Sequence, residues 1–354
     1  MIPISVCIIT KNEAAKLEKC LKALRPYPFE IIVTDTGSTD NSREIAAKYA
    51  DKVLDFEWIN DFSAARNFCA SKASHNVILS LDTDEYLTEL DLASLYDLIE
   101  ANPKGVGEIF LTGYFTSDNG TLDAQEVWLT RLYNRKYYTF ERAVHECIVP
   151  KKNITFTHYH LPLKVDHDGY LGSQEFLDQK SLRNIELLKE ELKKNPLDPY
   201  INFQIGQSYL LMRKEDAALS YFRIAMQNQP AIANDYTRIL VKNYGEVLLS
   251  AGLLDEAMTI LAYYDAYQDN ADYLCLVGRI YILRNEFLKA LPELIKALTA
   301  PHYDSAEARK ALPSYYIGHI YQYYGQTENA IRHFQSCGDY PPALERLRLL
   351  GVRQ

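Results

Sequence analysis

Apolar positions in the first eighty residues follow two alternating patterns. Ile4–Thr10 is a continuous β-rich run, ISVCIIT. Asn12–Leu24 then sets Ala14, Leu17, Leu21 and Leu24 on one helical face. Pro26 and Pro28 break the chain. Glu30–Thr34 predicts a second strand, and Asp40–Ala50 a second helix that Ser38 or Asp40 can cap. Lys52–Phe56 reads as a short third strand, Ser63–Ser74 as a helix and Val77–Leu81 as a fourth, buried strand. Strands and helices alternating at this spacing predict a parallel sheet with helices on both faces. In such sheets ligands bind beyond the carboxyl ends of the strands. Three polar groups stand there: Thr10-Lys11-Asn12-Glu13, Asp35-Thr36-Gly37-Ser38 and Asp82-Thr83-Asp84-Glu85.

The pattern changes near Gly169. Ser173–Lys194 is one helical stretch, stopped by Asn195-Pro196. Four copies of a unit then keep one register, starting at Gly206, Gly245, Gly278 and Gly318. Each glycine is followed three residues later by Tyr209, Leu248, Tyr281 and Tyr321, and twelve later by Ala218, Ala257, Ala290 and Ala330. Sixteen later come Phe222, Leu261, Leu294 and Phe334. The physical reading is a pair of helices per copy. Glycine and alanine permit close approach, and the large apolar residue fills the gap between them. The copies start 39, 33 and 40 residues apart. The pattern, over roughly residues 196–340, resembles the tetratricopeptide repeat, whose period is about 34. Longer loops are therefore expected at Gln229–Asp235 and Thr299–Pro313. The boundaries predicted are 1–170 for the first domain, 171–195 for a helical linker and 196–354 for the repeats.

Composition narrows the function. The chain of 354 residues is 47% hydrophobic and 24% charged, with a formal net charge of −9. No long run of Lys or Arg appears, which argues against a general nucleic-acid binder. No stretch approaches the roughly 20 apolar residues of a membrane span. MIPISVCIIT lacks a basic leader and reads as a first core strand instead of a signal peptide. Six scattered cysteines without a CxxC pair fit a reducing cytoplasm, the expected location. Without a secretory signal, the sequons at Asn119-Gly-Thr121 and Asn153-Ile-Thr155 read as coincidence.

The strand ends carry the candidate chemistry. Asp82 and Asp84, two residues apart at a bent strand end, can face one divalent cation, and Mg²⁺ or Mn²⁺ prefers such hard oxygen ligands. A solvated acidic turn is the plain alternative. Asp35 can accept hydrogen bonds from a base or a ribose, with Gly37 allowing a tight turn. A helix N-cap loop would use the same residue types. Glu85 is a supporting acid or the start of the next helix. His158 and His160 alternate on one strand and face the same side. A zinc pair is conceivable there, and a structural pair is the favoured reading.

Taken together, Ile8-Ile9-Thr10-Lys11-Asn12-Glu13, Ile32–Asp40 and Leu79–Glu85 resemble the family 2 glycosyltransferases of the GT-A fold over the first 170 residues. The fold expected is an α/β GT-A nucleotide-sugar transferase domain followed by an all-α tetratricopeptide-like repeat domain. The resemblance implies that Asp35 reads the nucleotide and that Asp82-Thr83-Asp84 is the DxD motif. Asp84 then binds metal directly and Asp82 lies nearer the ribose. Thr10, Asn12, Glu13, Gly37 and Ser38 become donor-site residues. His167, in VDHDGY, becomes the third metal ligand, with a surface turn histidine as the alternative. Arg66, in FSAARN, and Arg131, in WLTRLYNR, become diphosphate contacts, with an exposed helix charge as the alternative for Arg66. In RAVHE, Glu146 is the candidate general base and His145 orients it or touches the diphosphate. Either is otherwise an ordinary strand residue.

The resemblance also implies an inverting enzyme that uses Mg²⁺ or Mn²⁺ and a UDP-sugar. The layout of transferase domain plus repeats is similar to bacterial enzymes that glycosylate bacteriocin peptides of the sublancin type at Cys or Ser. It implies a peptide or protein acceptor held by the repeats, and a homodimer formed through them. Two alternatives stand beside it. One is a transferase for a lipid-linked or cell-envelope glycan. The other is a degenerate transferase serving as scaffold.

Overall fold

The computed structural model describes residues 3–116, 122–152, 154–171 and 174–352. It divides into two compact units, Met1–Glu191 and Leu192–Gln354. The sequons begin at Asn119 and Asn153, outside the described residues.

In the first unit the elements run β1 (Ile4–Thr10), α1 (Ala14–Leu24), β2 (Glu30–Asp35), α2 (Ser42–Tyr49), β3 (Lys52–Asp55), α3 (Phe62–Ser71), β4 (Val77–Leu81) and β5 (Glu85–Leu90). They continue with α4 (Leu92–Ala101), β6 (Val106–Thr116), β7 (Leu122–Asn134), β8 (Tyr138–Glu141), β9 (Cys147–Pro150), β10 (His158–Tyr170) and α5 (Gln174–Leu192). Eight strands form one sheet in the order β3-β2-β1-β4-β7-β6-β10-β5. The expected parallel sheet is present in β3-β2-β1-β4. Beyond β4 the sheet is mixed. β6 and β7 pair antiparallel with each other, and β7 runs antiparallel to β4. Adjacent strands joined by a short connection pair antiparallel, whereas parallel pairs need a longer crossover. β8 and β9 make a separate ribbon.

Helix α1 shows why the pattern of apolar positions was informative. Its Leu17, Cys20, Leu21 and Leu24 are buried against Ile4, Val6, Ile8 and Ile31 of the sheet. Each such side chain contributes about 1.5–3 kcal/mol by leaving water. The packing clamps β1, β2 and β4 side by side. Thr10 pairs with Asp35, and Ile8 with Leu81. The three polar strand ends therefore open on one edge.

The second unit is all helical: α6 (Pro199–Leu211), α7 (Glu215–Gln227), α8 (Asp235–Ser250), α9 (Leu254–Ala257), a 3-10 turn (Met258–Tyr263) and α10 (Tyr264–Tyr267). Then come α11 (Ala271–Leu283), α12 (Phe287–Ala297), α13 (Ala306–Arg309), α14 (Ala311–Tyr323), α15 (Thr327–Ser336) and α16 (Pro341–Leu349). In three copies the expected seam forms. A methyl group at Gly206, Gly278 or Gly318 would run into Phe222, Leu294 or Phe334 of the following helix. The second copy differs. Its second helix is broken into α9, the 3-10 turn and α10, so Leu261 lies on the turn. Gly245 is met instead by Leu276 of α11. The loop expected at Thr299–Pro313 holds the short helix α13, and α14 starts before Pro313. No helix among the described residues is long and apolar enough to cross a membrane.

Candidate functional site

The β1–α1 and β2–α2 loops are knitted together by the residues the sequence singled out. Asn12 takes a left-handed backbone, φ 55°. Its N–H donates to Ser38 Oγ at 2.9 Å, and its Oδ1 accepts from the Thr39 N–H at 2.7 Å. The Glu13 N–H donates to Ser42 Oγ at 3.0 Å, and the Ala14 N–H to Asp40 Oδ2 at 3.2 Å. Asp35 Oδ1 accepts from the N–H groups of Gly37 and Ser38, both at 2.8 Å, and the turn needs the φ of 102° that Gly37 supplies. Asp35 Oδ2 is buried and has no hydrogen-bond partner among the described residues, and neither has the Thr10 hydroxyl. A buried, unpaired carboxylate oxygen costs free energy unless a ligand donor meets it.

The two aspartates of the DTD segment have different surroundings. Asp82 faces two guanidinium groups. Arg66 Nη2 donates to its Oδ1 at 2.6 Å and Arg131 Nη2 to its Oδ2 at 3.0 Å. Arg66 is buried and fully engaged, with Nη1 on Ser80 Oγ at 3.1 Å and Nε on Glu146 Oε1 at 2.5 Å. Arg131 also binds both oxygens of Glu85. Burial alone would push the Asp82 carboxyl up, but the two arginines outweigh it and hold it well below the usual range. Glu85, 1% exposed, is pushed up by burial, against the pull of Arg131. Glu85 opens β5 and not a helix, and its Oε2 accepts from the Asp82 N–H at 3.0 Å. The sequence reading sends Arg66 and Arg131 to a diphosphate. In the structure both are turned inward onto carboxylates.

Asp84 faces the other way. His167 Nε2 lies 3.6 Å from its Oδ1, and Lys16 Nζ 3.8 Å from its Oδ2. His167 is brought there by β10, where it pairs with Glu85 of β5. Asp168 beside it accepts from Tyr86 Oη at 2.9 Å, and Lys19 lies 3.5 Å over the Tyr86 ring. Gly169 completes the arrangement. A methyl group there would collide with Asp84 Oδ2 and His167 Nε2 together. The glycine thus keeps open the space that a carboxylate oxygen and an imidazole nitrogen share. That donor set suits a divalent cation. Asp82, with both oxygens held by arginines, does not join it, and no group of three metal-ligating side chains occurs among the described residues. Nothing in the sequence pattern singles out Gly169 for this role, although it stands two residues after the candidate ligand His167.

The 141–146 loop closes the site. Arg142 and His145 both have left-handed backbones, φ 78° and 52°, which double the loop back so that the Ala143 carbonyl accepts from the Phe62 N–H at 2.9 Å. His145 Nε2 is buried and has no partner among the described residues, and burial lowers the imidazole's pKa. Glu146 is joined to Asp82 through Arg66. His158 and His160 lie apart from this cluster, on the two oxygens of Glu108 at 2.8 and 3.3 Å, and His160 stacks on Trp128.

Residues 5–154 match the model of the family described as Glycosyl transferase family 2. The SPbeta prophage-derived glycosyltransferase SunS of Bacillus subtilis (strain 168) is 28% identical over 223 residues, 62% of this chain and 52% of that protein. The chain thus spans about half the length of that relative. A TPR repeat-containing protein of Synechococcus elongatus is 29% identical over 292 residues, 78% of this chain and 69% of its own. Among solved structures, YrrB, described as a TPR protein with an unusual peptide-binding site, is 16% identical with a TM-score of 0.41, over 49% of this chain and 89% of that one.

Proposed function

Residues 5–154 are a glycosyl transferase family 2 domain, and on that premise we propose that the chain transfers a sugar from a UDP-sugar, with inversion, to a Ser, Thr or Cys side chain of a peptide or protein. The observation that carries this reading is the space Gly169 leaves between Asp84 and His167, on the edge where Asp35 keeps an unpaired buried oxygen. Asp84 and His167 would hold Mg²⁺ or Mn²⁺, which when bound neutralises charge on a nucleoside-diphosphate leaving group. Asp35 Oδ2 receives a donor from the nucleoside. Thr10, Asn12, Glu13, Gly37 and Ser38 shape the loops around it.

Arg66 and Arg131 act one step back. They fix Asp82, and through it the turn that aims Asp84. Arg66 also fixes Glu146, which takes the acceptor's proton as the acceptor attacks the anomeric carbon. His145, kept neutral by burial, orients that carboxylate. The repeats hold the acceptor, since stacked helix pairs offer a long surface to an extended chain. They also join two copies of the chain.

The test is a screen of nucleotide sugars with Mn²⁺, scored by nucleotide release with and without Ser- and Cys-containing peptides. Release from a UDP-sugar, accelerated by peptide, is the expected result. Turnover only with a lipid-linked glycan would replace the peptide reading, and no turnover with any sugar nucleotide would leave the domain a scaffold.

A further inference from the structure

A diphosphate carries several negative charges, and the two arginines nearest the DTD segment already face Asp82, Glu85 and Glu146. Helix α5 supplies other cations. It reaches the candidate site at three points. Lys180 Nζ donates to the carbonyl oxygen of Gly169 at 3.3 Å. The Arg183 guanidinium stands 5.9 Å from the centre of the Phe62 ring, at the start of α3. Glu191 pairs with Arg142 of the 141–146 loop at 3.7 Å. Residues 180 and 191 lie about 16 Å apart along a helix, so α5 passes the metal-side glycine, the start of α3 and the loop that carries Glu146. The helix is fixed there by Ser181, Ile185 and Leu188, all buried on one face.

Lys180 and Arg183 are three residues apart, which makes them neighbours on the helix surface. Lys180 is half-buried and Arg183 exposed. Both bear on the Glu13 carboxyl, which burial pushes up while Lys16, Lys180 and Arg183 draw it down. A lysine ammonium attracts phosphate as a point charge. Arginine binds phosphate in a bidentate fork.

We propose that α5 is a cationic wall of the donor site, on which Lys180 and Arg183 bind the diphosphate of the sugar nucleotide. The inference rests on the donor-binding reading above and gives the helix after β10 a role in binding, beyond joining two units.

The test compares UDP with uridine, which lacks the phosphates, by calorimetry on the full chain with Mn²⁺. The double variant Lys180→Gln/Arg183→Gln is expected to bind UDP at least about tenfold more weakly, since each 1.4 kcal/mol is tenfold, and to bind uridine as the wild type does. Arg183→Lys keeps the charge and is expected to recover part of the loss. Equal UDP binding by variant and wild type would overturn the proposal. So would equal losses of UDP and uridine in a variant whose melting temperature is unchanged, because that pattern marks a merely structural helix. A wild type that fails to bind UDP at all would instead overturn the donor reading beneath it.

Discussion

Three glycines of the repeats and one of the first unit, Gly169, are forbidden a side chain for opposite reasons. In the repeats, a methyl group at Gly206, Gly278 or Gly318 would meet an apolar side chain of the next helix. The space is already filled, and the glycine is a packing residue. In the first unit, a methyl group at Gly169 would meet a carboxylate oxygen and an imidazole nitrogen. The imidazole nitrogen lies 3.6 Å from the other oxygen of that carboxylate, Asp84 Oδ1, a donor set of the kind a divalent cation takes. The same local rule therefore marks packing at the repeat glycines and, on the reading proposed above, a binding place at Gly169. A glycine's meaning depends on whether its neighbours are oily or are ligands.

Substitutions can break that contrast. Gly169→Ala is expected to have the largest effect. The side chains of Asp84 and His167 can swing aside, so the fold survives, but the cation affinity should fall about 10–100-fold. Donor turnover with limiting Mn²⁺ measures it, with circular dichroism as the check on folding. Asp35→Asn should be next. It removes the negative charge from the unpaired buried oxygen and should raise the KM for the sugar nucleotide about tenfold, with kcat less affected. Gly318→Ala forces Phe334 off its seat and should destabilise the repeats by about 1–3 kcal/mol, read by denaturant unfolding, while nucleotide binding stays as it was. A loss of stability at Gly169 and a loss of nucleotide binding at Gly318 would invert the contrast and sink it.

The smallest expected effect is a pH dependence confined to the repeats. Burial, with Arg346 nearby, lowers the His319 imidazole from its ordinary 6.5 to about 4. Below pH 6.5 the unfolded chain takes up a proton that the folded one refuses. Stability should thus fall as the pH drops from about 6.5 toward 4 and stop falling through this group below that. His319→Phe should flatten that part of the profile, measured as melting temperature against pH. An unchanged slope would place the acid sensitivity elsewhere.

What the sequence revealed follows the range of the interactions. β1 and β4 are found with the predicted bounds, and β2, α1 and α3 within two or three residues, because each rests on local apolar periodicity. The repeat register was legible because it is written four times. It misled only at Leu261, where the second copy's helix is broken and Leu276 takes over. Pairings between distant segments were not legible. Nothing local tells that Arg66 and Arg131, 65 positions apart in the chain, meet on Asp82. Nor does it tell that β7 returns beside β4 and mixes the sheet. Long-range charge pairing also decided which aspartate of the DTD segment faces inward. The spacing alone made the two equivalent.

On the proposed function, Asp84, with His167 beside it, holds the cation that serves the sugar nucleotide. The direct measurement is the electron paramagnetic resonance of Mn²⁺ titrated into the full chain with UDP, for the wild type and for Asp84→Ala. The wild type should bind one Mn²⁺ per chain with UDP present, and the variant should lose that binding by about 100-fold while keeping its fold. Equal Mn²⁺ binding by the two proteins would rule out Asp84 as the ligand.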